Sequence, residues 1–181
     1  MKKPFDDMTQ IHEVVIYGNP VLRTRATEIT MFDDELRKFA SEMFATMEEY
    51  EGIGLAAPQV DRLIRLLVIG LPEEDSEEMF YLAVANPEIV EKSSDTWDIE
   101  EGCLSIPDVR DHVVRPEAIT VEYHTLNGER KTIKASGMLA RVLQHEIDHL
   151  NGILFIDHLS PVRRALLNGK LKRLEREQQE S

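Results

Sequence analysis

Ser136-Gly137-Met138-Leu139-Ala140-Arg141-Val142-Leu143-Gln144-His145-Glu146-Ile147-Asp148-His149-Leu150-Asn151-Gly152 reads as one buried helix around which the rest of the chain is organised. Ser136 is a suitable N-cap and Asn151-Gly152 a suitable stop, which leaves about 14 helical residues with both ends capped. Leu139, Leu143, Ile147 and Leu150 form a stripe for the core, while Met138, Val142, His145 and His149 recur on the adjacent face. Two histidines four apart on a helix can turn their imidazoles onto one metal ion, with Glu146 beside them to manage a proton. Taken alone, the H-E-x-x-H pattern also fits an amphipathic helix whose histidines are satisfied by ordinary hydrogen bonds.

Working outward, Ile119, Val121 and Tyr123 alternate with polar residues, Asn127-Gly128 supplies a turn, and Arg130 to Lys134 returns, so a hairpin leads directly into this helix. Further strands are predicted at Ile64 to Ile69 and Phe80 to Ala85, separated by a solvated acidic loop, Glu73 to Glu78, with a short one at Val14 to Tyr17 before the turn Gly18-Asn19-Pro20. Phe32, Leu36, Phe39, Met43 and Met47 mark a first long helix with Thr30 as N-cap and Asp33, Asp34 and Glu35 near its positive end. Past Gly152, Ile153 to Ile156 is an extended apolar segment, and Ser160-Pro161 opens a final helix. Strands followed by a helix, without βαβ alternation, predict an α+β fold: mainly antiparallel sheets packed around a central metal-binding helix, with an N-terminal and a C-terminal helix.

The length of 181 residues suits a single catalytic domain, with residues 1–11 a flexible tail and 160–181 a basic C-terminal helix. No apolar run is long enough for a membrane span, and the acidic N-terminus has no apolar signal region, which leaves the cytoplasm as the expected location. A formal charge of -13 excludes broad attraction to free nucleic acid or an anionic membrane. Against that background residues 160–176 carry Arg163, Arg164, Lys170, Lys172, Arg173 and Arg176 with only Glu175 in opposition, a patch that could meet the ribosome near its exit tunnel.

Two further stretches carry chemistry. In Gly52-Ile53-Gly54-Leu55-Ala56-Ala57-Pro58-Gln59 the small residues permit close backbone approach and Gln59 offers an amide at a fixed place, but there is no Lys-Ser/Thr pair of a phosphate loop. Cys103, within Glu100-Glu101-Gly102-Cys103-Leu104-Ser105-Ile106-Pro107, is the single cysteine, so it forms no intrachain disulfide and is either a buried filler or a functional thiolate. Joined with His145 and His149 it would make a Cys-His-His metal site with an open fourth position for water, suited to Fe(II), Zn(II), Co(II) or Ni(II). Glu146 would then take the proton of that water, Asp148 would help orient the ligands, and Gln59 with the backbone N–H of Leu104 would supply donors to an oxyanion.

These three motifs together resemble the peptide deformylase family: Gly52 to Gln59 is similar to its G-x-G-L-A-A-x-Q, Glu101 to Ser105 to its E-G-C-L-S, and Gln144 to His149 to its Q-H-E-x-D-H. The resemblance runs from about Val14 to Leu159. It implies removal of the formyl group, as formate, from nascent N-formylmethionyl chains. It implies one divalent metal ion, iron natively in many members, on Cys103, His145 and His149, with Glu146 as general base and acid and Gln59 and Leu104 as oxyanion donors. It further implies that Ile53, Gly54 and Gly102 with the Arg115 side chain hold the substrate as an added strand. Gly52, Ile99, Glu101, Met138, Arg141 and Val142 would line the methionine pocket, the Arg141 stem packing while its head reaches water. Another metal-dependent amidase or peptidase of the H-E-x-x-H type is the alternative enzyme, distinguished by lacking a thiolate ligand. A non-catalytic metal-binding homologue would lack Glu146 or Gln59, and both are present here.

Overall fold

A computed structural model describes residues 2–73 and 78–180, so most of the acidic loop from Glu73 to Glu78 lies outside the described residues. The order is α1 (Asp34–Glu49), β1 (Gly54–Ala56), β2 (Leu66–Pro72), β3 (Met79–Lys92), β4 (Thr96–Cys103), β5 (Ile106–Pro116), β6 (Ala118–His124), β7 (Arg130–Ser136), α2 (Gly137–Leu150) and α3 (Pro161–Glu180), with 3-10 turns at Ala57–Val60 and Phe155–His158. The fold is α+β. One five-stranded sheet has the order β1-β2-β3-β6-β7, and β4 and β5 form a separate hairpin; every pairing among these strands is antiparallel.

Strand β2 is covered on both faces, which explains why its sequence is a continuous apolar run. Leu67, Ile69 and Leu71 pack with Leu143, Ile147 and Leu150 of α2, whereas Leu66 and Val68 pack with Phe39, Met43 and Met47 of α1. Ten of the fourteen residues of α2 are buried, so its charged side chains must find partners inside the protein. Ser136 occupies the expected N-cap position, but its side chain makes no capping bond. At the other end Gly152 has φ +72°, and a Cβ there would stand 2.6 Å from the Arg23 carbonyl oxygen, so only glycine fits this stop.

Several boundaries differ from the sequence expectation. The N-cap of α1 is Asp33, whose carboxylate accepts from Leu36 N at 2.9 Å; it is as good a cap as Thr30 and stands directly before the apolar stripe. Residues 14–17 are extended but join no ladder: Val15 N donates to Gln59 O and Tyr17 N to Ser105 O, both at 2.8 Å, so the segment ties two of the motifs together. Thr96–Pro116 is a long hairpin where only a cysteine-bearing segment was expected. Ile153 to Ile156 runs into a 3-10 turn.

The described part of the segment expected as a flexible tail, residues 2–11, lies along α1, with Lys3 paired to Glu48 at 2.5 Å, the Pro4 carbonyl accepting from Ser41 Oγ at 2.6 Å, and Phe5 edge-on to Tyr81. Helix α3 buries Leu171 and Leu174 against Leu154, Phe155 and Ile156, and much of its positive charge is neutralised within the protein. Arg163 binds Asp111 at 2.6 Å, Arg164 binds Asp157 at 2.7 Å, Arg173 faces Glu177 at 3.4 Å, and Lys170 donates to the Asp108 carbonyl at 3.2 Å.

Candidate metal centre and its cavity

Helix α2 meets β1 and the end of β4 at the three sequence motifs. Ligand atoms of Cys103, His145 and His149 all lie within 4.8 Å of one another, with Cys103 Sγ 3.3 Å from His149 Nε2. His145 Nδ1 is 2.9 Å from Glu101 Oε2, which leaves its Nε2 for the cluster. The residues fit a soft or borderline divalent cation by donor type, one thiolate and two imidazoles. They also fit by charge, because the cluster stabilises positive charge at His145. Burial disfavours it, yet hydrogen bonds to Cys103 and Glu101 outweigh burial and raise the pKa of His145 well above the ordinary value. His149 is held neutral by burial and by the neighbouring charge of His145, which leaves a ring lone pair for a cation, and a bound cation would take the place of the His145 proton.

Glu146 is buried, and its Oε2 has no hydrogen-bond partner in the protein. Such an atom is rare in a folded core, and Glu146 lines the cavity described below. Burial raises its carboxyl to about 7. The chain can approach it only because residue 54 is glycine: a Cβ at Gly54 would stand 2.6 Å from Glu146 Oε1 and 2.7 Å from Val142.

Gln59 is aimed by its own backbone turn. Ala56 N donates to Oε1 at 2.9 Å, so the amide nitrogen must face the other way, 3.2 Å from Ser105 Oγ and 3.6 Å from Cys103 Sγ. Leu104 and Ser105 form the two-residue turn between β4 and β5, so the Leu104 amide sits next to the thiol. Ser105, quoted above within its motif but given no role, is fully buried and bonded to Gln59, a pairing across 46 residues that no local pattern encodes.

A cavity of about 420 Å³ opens onto this cluster, and Gly52, Ile53, Gly54, Ile99, Glu101, Gly102, Met138, Arg141 and Val142 all line it, together with Gln59, Leu104, Cys103, His145 and Glu146. Arg115 does not. It is buried and committed to Glu101 through Nε at 2.6 Å and Nη2 at 3.0 Å, and to Asp148 at 2.8 Å. The exposed cation on the cavity wall is Arg110, which lies across Gly102, its register partner on β4. Recognising the hairpin in the sequence would have found it.

Arg141 also differs from expectation: its head never reaches water. The guanidinium donates to Glu101 and to the Val113 carbonyl, each at 2.8 Å, and to the Trp97 carbonyl. Glu101 is therefore the hub of the site. Burial would raise its pKa, but hydrogen bonds from His145 and Arg115 hold the carboxyl well below the usual range. Asp148 touches none of the three candidate ligands directly; it binds Arg115 and His158, and its link to His145 runs through Arg115 and Glu101.

A family model described as polypeptide deformylase matches residues 11–165. The peptide deformylase of Brucella suis biovar 1 is 47% identical over 164 residues, covering 91% of this chain and 93% of that protein. Among solved structures, peptide deformylase from Plasmodium falciparum superposes with a TM-score of 0.86 at 40% identity, covering 93% of this chain and 98% of that one. The peptide deformylase of Synechococcus elongatus in complex with actinonin gives 0.84 at 40% identity, covering 94% and 91%.

Proposed function

The chain belongs to the polypeptide deformylase family, and from that premise we propose that it is a single catalytic domain that removes the formyl group from the N-terminal formylmethionine of nascent polypeptides. The observation that carries this reading is the meeting of Cys103, His145 and His149 with an unpartnered Glu146 oxygen and an inward-facing Gln59 amide beside one cavity. A divalent ion held there supplies a Lewis acid and brings the pKa of a water toward ~7. We assign Fe2+ natively, with Zn2+, Ni2+ or Co2+ able to use the same donors.

Glu146 takes the proton of the attacking water and returns it to the methionine nitrogen as the C–N bond breaks and formate leaves. A carboxyl near 7 suits both halves of that transfer. Gln59 Nε2–H and the Leu104 amide donate to the oxygen that gains charge as the formyl carbon becomes tetrahedral. The methionine side chain enters between Ile99, Met138 and Val142, with Gly52, Glu101 and Arg141 completing the walls. Ile53, Gly54 and Gly102 offer backbone to the following residues as an added strand beside β1, the edge of its sheet, and Arg110 takes the substrate-facing role first expected of Arg115.

Among the described residues no helix is long and apolar enough to cross a membrane, and we place the enzyme in the cytoplasm with formylated nascent chains as its partners. Ribosome contact through α3 falls to Lys172 and Arg176, which pair with no carboxylate among the described residues, to Lys170, which bonds only a backbone carbonyl, and to partial exchange of the ion pairs of Arg163, Arg164 and Arg173. The test is anaerobic purification, metal analysis and formate release from formyl-Met-Ala-Ser. Metal-loaded protein that releases no formate would overturn the proposal.

A further inference from the structure

His158 ends the 3-10 turn Phe155–His158 and lies outside the cavity. Its Nε2 is 2.7 Å from Asp148 Oδ2. That same oxygen accepts from Arg115 Nη1 at 2.8 Å, Arg115 grips both oxygens of Glu101, and Glu101 Oε2 meets His145 Nδ1 at 2.9 Å. Five side chains thus run without a break from a 36%-exposed imidazole to a candidate metal ligand. The directions are fixed by chemistry: a carboxylate accepts and a guanidinium donates, so His158 presents Nε2–H to Asp148 and Glu101 accepts the Nδ1–H of His145. Arg115 and His158 stand 3.5 Å apart as two donors sharing Asp148 between them.

Asp148 is the weak link, since its side chain is 17% exposed whereas those of Arg115 and Glu101 are 5% and 4%. With a second donor on Oδ2, its carboxylate is held against Arg115 instead of turning to water. Arg115 then fixes the plane of Glu101, and Glu101 fixes the rotation of the His145 ring. The same turn delivers Phe155 face-on to that ring, with centroids 6.1 Å apart and planes at 23°. The turn itself is pinned by Asp157, which accepts from Leu154 N at 2.9 Å and binds Arg164 at 2.7 Å.

We propose that His158 is a positioning residue for the metal centre, acting on His145 through Asp148, Arg115 and Glu101. This rests on reading Cys103, His145 and His149 as metal ligands. The test loads apo-protein with Co(II) anaerobically and records the visible spectrum, the rate of Co(II) release to a chelator and the melting temperature. The variants are His158→Phe, His158→Gln, Asp148→Ala and the double variant Asp148→Ala/His158→Phe. Partners that orient metal ligands change affinity by about 10- to 100-fold. At this distance from the metal we expect His158→Phe to speed release about tenfold and shift the ligand-field bands, with melting within about 3 °C of wild type. His158→Gln, which restores an N–H donor, should recover most of the effect. In the Asp148→Ala background the Phe substitution should add less than about twofold, because the acceptor that joins His158 to Arg115 is gone. Release and spectrum of His158→Phe within twofold of a wild type that binds Co(II) would overturn the proposal alone. So would an undiminished effect in the Asp148→Ala background, or a loss that tracks melting temperature with no spectral change. Wild-type protein that takes up no Co(II) would overturn the metal reading and this inference with it.

Discussion

Glu101→Gln changes one oxygen to an amide nitrogen, and the structure makes the consequence large. The carboxylate is 5% exposed and accepts four hydrogen bonds, two from Arg115 at 2.6 and 3.0 Å, one from Arg141 at 2.8 Å and one from His145 at 2.9 Å. The variant leaves two buried guanidiniums facing a neutral group, and breaking a buried pair on one side typically costs about 3–5 kcal/mol. For a chain of this size that corresponds to a fall in Tm of about 6–20 °C. Wherever the amide nitrogen faces His145 it meets Nδ1–H donor to donor, so the imidazole must rotate or move its proton to the nitrogen needed for the metal, and metal affinity should fall about 10- to 100-fold. The pH dependence gives a signed control. The folded pKa of Glu101 lies below its ordinary 4.5, so its contribution is complete above that value and is lost as pH falls toward the folded pKa. The Tm gap between wild type and variant should therefore be full at pH 7 and narrow below about pH 4.5. Thermal melts across pH and chelator competition read both effects. A variant melting within about 3 °C of wild type at pH 7 with unchanged metal affinity would refute the hub role.

Three other substitutions probe the remaining parts. Glu146→Ala should keep its metal and lose about 10²- to 10⁴-fold in turnover, and activity within threefold of wild type would remove Glu146 from proton transfer. Gln59→Leu should lower kcat by about 10²- to 10³-fold at constant metal content; a change confined to KM would make it a substrate-binding residue instead. Leu171→Ala, at a position 4% exposed on α3, should cost about 2–5 kcal/mol in urea unfolding. A loss under about 0.5 kcal/mol, the range of ordinary surface substitutions, would mean that α3 is an appendage and not part of the core.

The helix α2 and the β6–β7 hairpin were legible because each is a local code: 3.6-residue spacing between caps in one, alternation about Asn127-Gly128 in the other. The β4–β5 hairpin was not, because its inner face carries Glu101 and Arg115, buried charges that break the apolar alternation a strand is recognised by. Each is tolerable only in the presence of the other, and they lie 14 residues apart. The same cause hid the setting of Arg141, whose three acceptors come from β4 and β5. Arg110 and Arg115 both follow the Glu101–Ser105 motif within a few residues, and only the register separates the exposed one from the buried one. Val14 to Tyr17 has the composition of a strand, but its backbone bonds go to single carbonyls at Gln59 and Ser105, a partnership that no local pattern encodes.

The central claim is that Cys103 joins the two histidines on one metal, and X-ray absorption on the Zn(II)- or Co(II)-loaded protein tests it directly. The geometry predicts a four-coordinate shell of one sulfur at about 2.3 Å, two imidazole nitrogens at about 2.0–2.1 Å and one light oxygen donor. Replacing Cys103 with serine should remove the sulfur scatterer. A wild-type shell without sulfur, built from nitrogen and oxygen alone, would contradict the account and point to an ordinary H-E-x-x-H hydrolase.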